Sequence, residues 1–233
     1  MMTDTLTLYC GSRNASSWSF RAWLALRLAG LTFEERIVDM RLPQRVEGLA
    51  PLADFSPPAT VPVLIAGDRS IFDSLAIMEF ANEAAFGALL PSGTIERAEA
   101  RSLIGWQHAG LSRICARVSF ESSFFPAKRR LSVTELAEAR RFFGAVEGFL
   151  DRSGGPFLFG PMGLADVALA PTAVRLARHD ADVTRTSSGA AWIDGILAHP
   201  LVAEWVDSAD RLEPVWDDNY LLPCADTEPQ LQA

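Results

Sequence analysis

The sequence predicts an α/β N-terminal domain, a mixed four-stranded sheet built in the order βαβ-ββα, followed by an all-α C-terminal domain. Three observations predict it. Strand-like and helix-like periods alternate through the first third of the chain. A turn-favouring Gly67-Asp68 pair joins two short apolar runs. Beyond "GALLPSGT", residues 87 to 94, no strand of comparable quality follows. The domain boundary is therefore expected at this break, with residues 1–87 before it and 94–233 after it.

Each element has a local reason. "LTLYC", residues 6 to 10, is a short strand. "SSWSFRAWLALRLAGL", residues 16 to 31, opens on capping serines, carries Phe20, Trp23, Leu24, Leu26 and Leu28, and closes on Gly30, so it is a helix. "TFEERIV", residues 32 to 38, is a second strand, parallel to the first. A proline-containing loop is expected from Met40 to about Ala59. "VPVLIAGDRSIF" then reads as a hairpin, and "DSLAIMEFANEAAF", residues 73 to 86, as a helix capped by Asp73 or Ser74. Pro62 interrupts the entry to the third strand. Proline donates no ladder hydrogen bond, so it belongs at a strand's first residue, edge or bulge, where it leaves backbone open to docking. After the break come a long helix over residues 95 to 120, bent at Gly105 or Gly110, and a helix from Ser132 with Glu135 completing a capping box. A helix over 163 to 179 is apolar nearly all round and so buried. Two short helices complete the order, over 190 to 199 and 200 to 212, ahead of an irregular tail with Trp216 and Tyr220. This order, with proline at the third strand, is that of a thioredoxin-like domain joined to a helical one.

Composition narrows the function. The 233 residues allow an ample core, and 49% hydrophobic with 21% charged residues is ordinary for a globular protein. A net charge of -8 without a basic run argues against nucleic acid and anionic membranes as partners. The three cysteines, Cys10, Cys115 and Cys224, form no C-x-x-C, which argues against a disulfide framework or zinc site and for a reducing compartment. No metal is expected. The opening residues lack the pattern of a signal peptide, and no apolar run approaches the roughly 18 residues of a membrane helix. A cytoplasmic protein is expected.

Four segments together resemble the soluble glutathione transferases. "SSWSFRAWLAL" is similar to the serine-bearing first helix of zeta and tau-like classes, and of bacterial members with S-S-W-S-x-R-x-W-L. "SPPATVPVL" is similar to the family's N-P-x-x-x-V-P-x-L, whose valine-proline bond is cis. "FDSLAIMEFANE" resembles E-S-x-A-I-x-x-Y-L-x-E, with Asp73 in place of glutamate. "FGPMGLADVALAP" resembles the start of a helix in the family's C-terminal domain, with Gly163 where serine or threonine is usual.

The resemblance implies roles. Val61, before Pro62, would pair its backbone with the cysteinyl part of glutathione, a form of strand addition. Asp73 and Ser74, at a helix start that favours anions, would hold the γ-glutamyl end. Ser16, with Ser17 as runner-up, would donate a hydrogen bond to the glutathione thiolate, with Asn14 a further donor. Trp18 stands where some bacterial classes carry a cysteine, which argues against a mixed-disulfide reductase. Arg45, or Arg41, would face the glycine carboxylate, since Thr60 replaces the lysine of tau-like members. Trp106, His108, Arg113 and Arg117 would line the electrophile pocket, while Gly163 and Asp166 are read as structural. The implied function is a glutathione transferase, with glutathione as cosubstrate, a small electrophilic substrate and a homodimeric assembly. A zeta-type glutathione-dependent isomerase or lyase, and a non-catalytic glutathione-binding protein, stay open as alternatives.

Overall fold

The computed structural model describes residues 5–110, 114, 118–179 and 188–215. Strand β1 (Leu6–Gly11) buries Leu6, Leu8 and Cys10 at period two, as a half-covered strand must. Helix α1 (Ser17–Leu28) follows, then β2 (Phe33–Val38), parallel to β1 in the register Leu6 to Phe33. β3 (Val63–Ala66) pairs antiparallel with β1, and β4 (Arg69–Phe72) antiparallel with β3. The sheet order is β2-β1-β3-β4, the mixed four-stranded arrangement predicted. Helix α3 (Ser74–Ala84) packs beside α1, while Val38, Leu52, Val61 and Val63 form a second small core.

One expectation is corrected here. The segment predicted as a loop contains a short helix α2 (Gln44–Leu49) and a 3-10 turn (Ala50–Asp54). The helix buries none of its residues, so it has no apolar stripe to announce it. Pro51 sits in the first positions of the 3-10 turn, where its missing N–H costs nothing.

Beyond α3 the described elements are α-helices and a 3-10 turn joined by irregular segments, with one isolated bridge, Phe157 to Gly160. Helix α4 (Thr94–Gly110) runs unbroken through Gly105, and the expected continuation toward residue 120 falls largely outside the described residues. A 3-10 turn (Glu121–Phe124) precedes α5 (Val133–Ser153). The α5 capping box forms as predicted: Ser132 Oγ accepts from the Glu135 N–H, and Glu135 accepts from the Ser132 N–H at 2.7 Å. Helix α6 (Leu164–Arg178) is buried continuously from Leu164 to Leu176, Pro171 included. Helices α7 (Ser188–Ala198) and α8 (Pro200–Asp210) close the described order, and Trp216 and Tyr220 lie outside it. Asp166 anchors α6 from inside. Its carboxylate accepts from Leu158 N–H, Gly163 N–H and Trp192 Nε1–H, at 3.1, 3.0 and 2.8 Å. Burial pushes its carboxyl up to about 6 against the pull of these donors.

Candidate active site

The β3 entry, the α3 start, the α1 start and one residue of α4 converge on a cleft of about 250 Å³. It is lined by Trp18, Thr60, Val61, Pro62, Asp73, Ser74 and His108. The Val61-Pro62 bond is cis, and β3 begins only at Val63. Among the described residues, the Val61 N–H and C=O have no hydrogen-bond partner. Asp73 is the N-cap of α3. Its carboxylate accepts from the Leu75 N–H at 2.8 Å, with the backbone in the left-handed half of conformational space at φ 75°. Ser74 is the first helical residue and is buried. The unpaired N–H groups of this first turn give the cleft a positive end. His108 reaches it from α4, its Nε2 3.6 Å from the Asp73 carboxylate and its ring edge-on to Trp18 at 5.2 Å.

The start of α1 forms the neighbouring wall. Ser16 is the N-cap: its Oγ accepts from the Ser19 N–H at 3.2 Å and lies 2.9 Å from Ser19 Oγ. Ser19 Oγ accepts in turn from the Gly11 N–H. Gly11 has to be glycine, because a Cβ there would stand 2.7 Å from Ser16 Cβ. Ser17, one residue on, lies within reach of the Arg175 guanidinium at 3.3 Å. Both serines are buried. Cys10 is fully buried behind them, and burial pushes its thiol far up, so it is no nucleophile.

The structure thus brings Val61, Pro62, Asp73, Ser74 and His108 together, with Ser16 and Ser17 at the adjoining helix start. Other expected residues stand elsewhere. Asn14 turns away, its amide donating to the Glu213 carbonyl at 2.7 Å. It lines a second hollow of about 420 Å³ with Ser12, Asp39, Arg41 and Glu213. Arg41 is spent on Asp39 and Glu213, at 2.6 and 2.9 Å. Arg45 is exposed on α2 and lines neither hollow, so neither arginine borders the cleft. Trp106 is half-buried, stacks on Phe142 at 6.2 Å against the helical core and does not line this cleft. Arg113 and Arg117 lie outside the described residues. Among the described residues, no three His, Cys, Asp or Glu side chains cluster as metal ligands would. A larger depression of about 470 Å³, between the linker at 88–93 and residues 159–165, holds none of the predicted binding groups.

Sequence reasoning missed two groups that hold the α1 start, Ser19 and Arg175. Ser19 lies in the quoted first-helix segment and Arg175 on a helix read as buried, but residue type and spacing assign neither of them a partner at the α1 start.

Two family descriptions match this chain in order: the glutathione S-transferase N-terminal domain over residues 15–84 and the C-terminal domain over residues 97–208. The chain is 31% identical to glutathione S-transferase 1 of Dianthus caryophyllus over 175 residues, covering 72% of this chain and 76% of that protein. The chain belongs to the glutathione S-transferase family. The expected fold and enzyme class, a glutathione transferase, are borne out; the bacterial, zeta or tau-like subclass is not distinguished. A probable maleylacetoacetate isomerase of Caenorhabditis elegans is 34% identical over 104 residues, covering 44% of this chain and 46% of that protein. Among solved structures, glutathione transferase F2 of Populus trichocarpa superposes with TM-score 0.71 at 17% identity, covering 88% of this chain and 98% of that one. A glutathione transferase homologue from Burkholderia gl BGR1, solved with bound glutathione, gives TM-score 0.64 at 23% identity and the same coverages. At such identities these likenesses are of fold. No helix among the described residues is long and apolar enough to cross a membrane.

Proposed function

We propose that this transferase binds glutathione along the Val61–Ser74 cleft and presents its thiol, as a thiolate, to an electrophile held against the helical domain. One observation carries the reading: an unpaired strand-entry backbone at Val61 and a helix N-terminus at Asp73-Ser74 face each other across one cleft beside the α1 start. A γ-glutamyl peptide has the matching groups. Its α-carboxylate suits Ser74 and the α3 N–H groups, its ammonium suits Asp73, and its central peptide unit suits the Val61 N–H and C=O. The thiol then falls to the α1 N-terminus, where the helix end and the Ser16 and Ser17 hydroxyls favour the charged form. Serine acts there as a donor and never becomes the attacking group. The thiolate attacks the electrophile. In conjugation its leaving group departs; in a zeta-type isomerase the thiol adds and later leaves. The isomerase reading is favoured by the match to the Caenorhabditis elegans protein, and analysis of product separates the two. The reading includes a homodimer and no metal.

The test is an ultraviolet titration of glutathione with the protein. Thiolate absorption should appear well below the free thiol's pKa of roughly 8.5, and should be lost when both α1 serines are removed in Ser16→Ala/Ser17→Ala. Binding without that absorption would make the protein a non-catalytic glutathione binder. Absence of binding would leave the fold without the function.

A further inference from the structure

We propose that Arg175 is a positioning residue for thiol activation, acting from the helical domain through Ser17. The inference rests on the reading above and concerns the same site. Arg175 lies near the end of α6 and is 3% exposed. Its Nη2 donates to Ser17 Oγ at 3.3 Å, across 158 residues of chain. The guanidinium lies 5.3 Å from the centre of the Phe120 ring, within cation–π range.

A second arginine completes the hold. Arg21, also buried, donates through Nη1 to the Ser17 carbonyl at 3.2 Å and through Nε to the Ala168 carbonyl of α6 at 2.8 Å. Its guanidinium lies 4.5 Å from the ring of Trp18, a wall of the cleft. Ser17 is therefore held at its hydroxyl and at its carbonyl, each time by a cation.

The chemistry follows from what each group can do. A hydroxyl has one proton to give and two lone pairs to receive with. Guanidinium only donates, so Arg175 occupies a lone pair of Ser17 and leaves the proton for another acceptor. A hydrogen bond from a cation also makes that proton a stronger donor. Ser16, by contrast, spends its oxygen on the helix cap and shares a hydrogen with Ser19. Burying a guanidinium is costly, and directing it at a serine at the α1 start places positive charge where the thiolate is to form. Arg175 touches neither thiol nor electrophile. It sets the direction and strength of the Ser17 donor.

The test reads the pH dependence of the thiolate absorption of bound glutathione in wild type, Arg175→Met, Arg175→Lys, Ser17→Ala and Ser17→Ala/Arg175→Met. Arg175→Met should raise the apparent thiol pKa by about one pH unit. With a nitro-activated aryl chloride it should lower kcat about tenfold while the KM for glutathione changes by less than about twofold. Arg175→Lys should recover part of both. In the Ser17→Ala background Arg175→Met should add nothing further, because its route is gone. If Arg175→Met does not fold, the Lys variant and Ser17→Ala, checked by circular dichroism, carry the same reading. A wild-type thiol pKa in the Arg175 variants overturns the inference. So do additive effects in the double variant. A wild-type titration with no thiolate absorption would instead overturn the proposed function, and this inference with it.

Discussion

Asp73 carries two loads that substitution can separate. As N-cap it satisfies the Leu75 N–H, and as a carboxylate in the cleft it faces His108. Its φ of 75° is uncommon for a residue with a side chain and natural for glycine. Asp73→Gly should therefore change stability by no more than about 0.5 kcal/mol, since glycine is a fair N-cap and is relieved at this φ. On the proposed binding mode the same change removes the partner of the ligand's ammonium, so glutathione affinity should fall about tenfold, the loss of one charge-assisted bond. Calorimetric titration beside a thermal melt measures both. Unchanged affinity would return Asp73 to a cap alone. The aspartate is one methylene shorter than the family's glutamate, and its carboxylate is used at close range on the helix itself.

At the scale of elements, α6 shows why one family position departs from its pattern. Serine or threonine usually caps this helix, but a Cβ on Gly163 would stand 2.8 Å from the Leu89 carbonyl oxygen. That carbonyl accepts from the Leu164 N–H at 2.8 Å, so neither side can withdraw without breaking the helix start. The Gly163 N–H is instead answered by Asp166, leaving only the backward half of a capping box. Gly163→Ser, which looks like a restoration of the cap, should destabilise the fold by about 1–3 kcal/mol, in the range of overpacked sites. Urea denaturation decides it; a gain in stability would mean that the linker yields. The same helix shows what could be read beforehand. Its apolar run announced a buried element, and alternation at Leu6, Leu8 and Cys10 announced β1, because burial on one face writes a period into the sequence. Helix α2 writes none, since it buries nothing. Val61, Pro62, Asp73 and Ser74 were legible as a candidate site through the family resemblance, and they line one cleft. Trp106 could not be assigned to a pocket or a core from the sequence, because an aromatic on an amphipathic helix has the same spacing in either case. Arg175 was invisible because its role depends on α1, far away in sequence.

Among the described residues, a seam between α1 and the helical domain joins the two halves, beside contacts of α4 with α3. Interfaces between domains within a chain usually permit relative motion unless they are large and apolar. Here the seam is apolar and interlocked. Trp205 of α8 is fully buried and stacks on Phe20 of α1 at 4.9 Å. Its Nε1 donates to the Arg13 carbonyl at 2.9 Å. The Arg13 guanidinium lies between the Trp23 and Trp205 rings, 4.9 and 4.8 Å from their centres, and pairs with Glu35 of β2 at 2.8 Å. Arg27 and Glu204 tie the rim. Residue 13 belongs to the loop that delivers Ser16, so the seam that joins the domains also sets the turn that carries the two candidate serines. The two halves should therefore unfold together, with tryptophan fluorescence and far-ultraviolet circular dichroism tracing one coincident urea transition. Trp205→Ala should cost about 3–5 kcal/mol, the range for deleting a buried aromatic, and should lower the thiolate fraction of bound glutathione although residue 205 lines no part of the cleft. Trp205→Phe keeps an aromatic ring for the stack but loses the bond to Arg13 and part of the buried indole, so its cost should be smaller, about 1–3 kcal/mol. Two separate transitions, or a Trp205→Ala protein with full thiolate absorption, would mean that the sheet-bearing half builds the site alone.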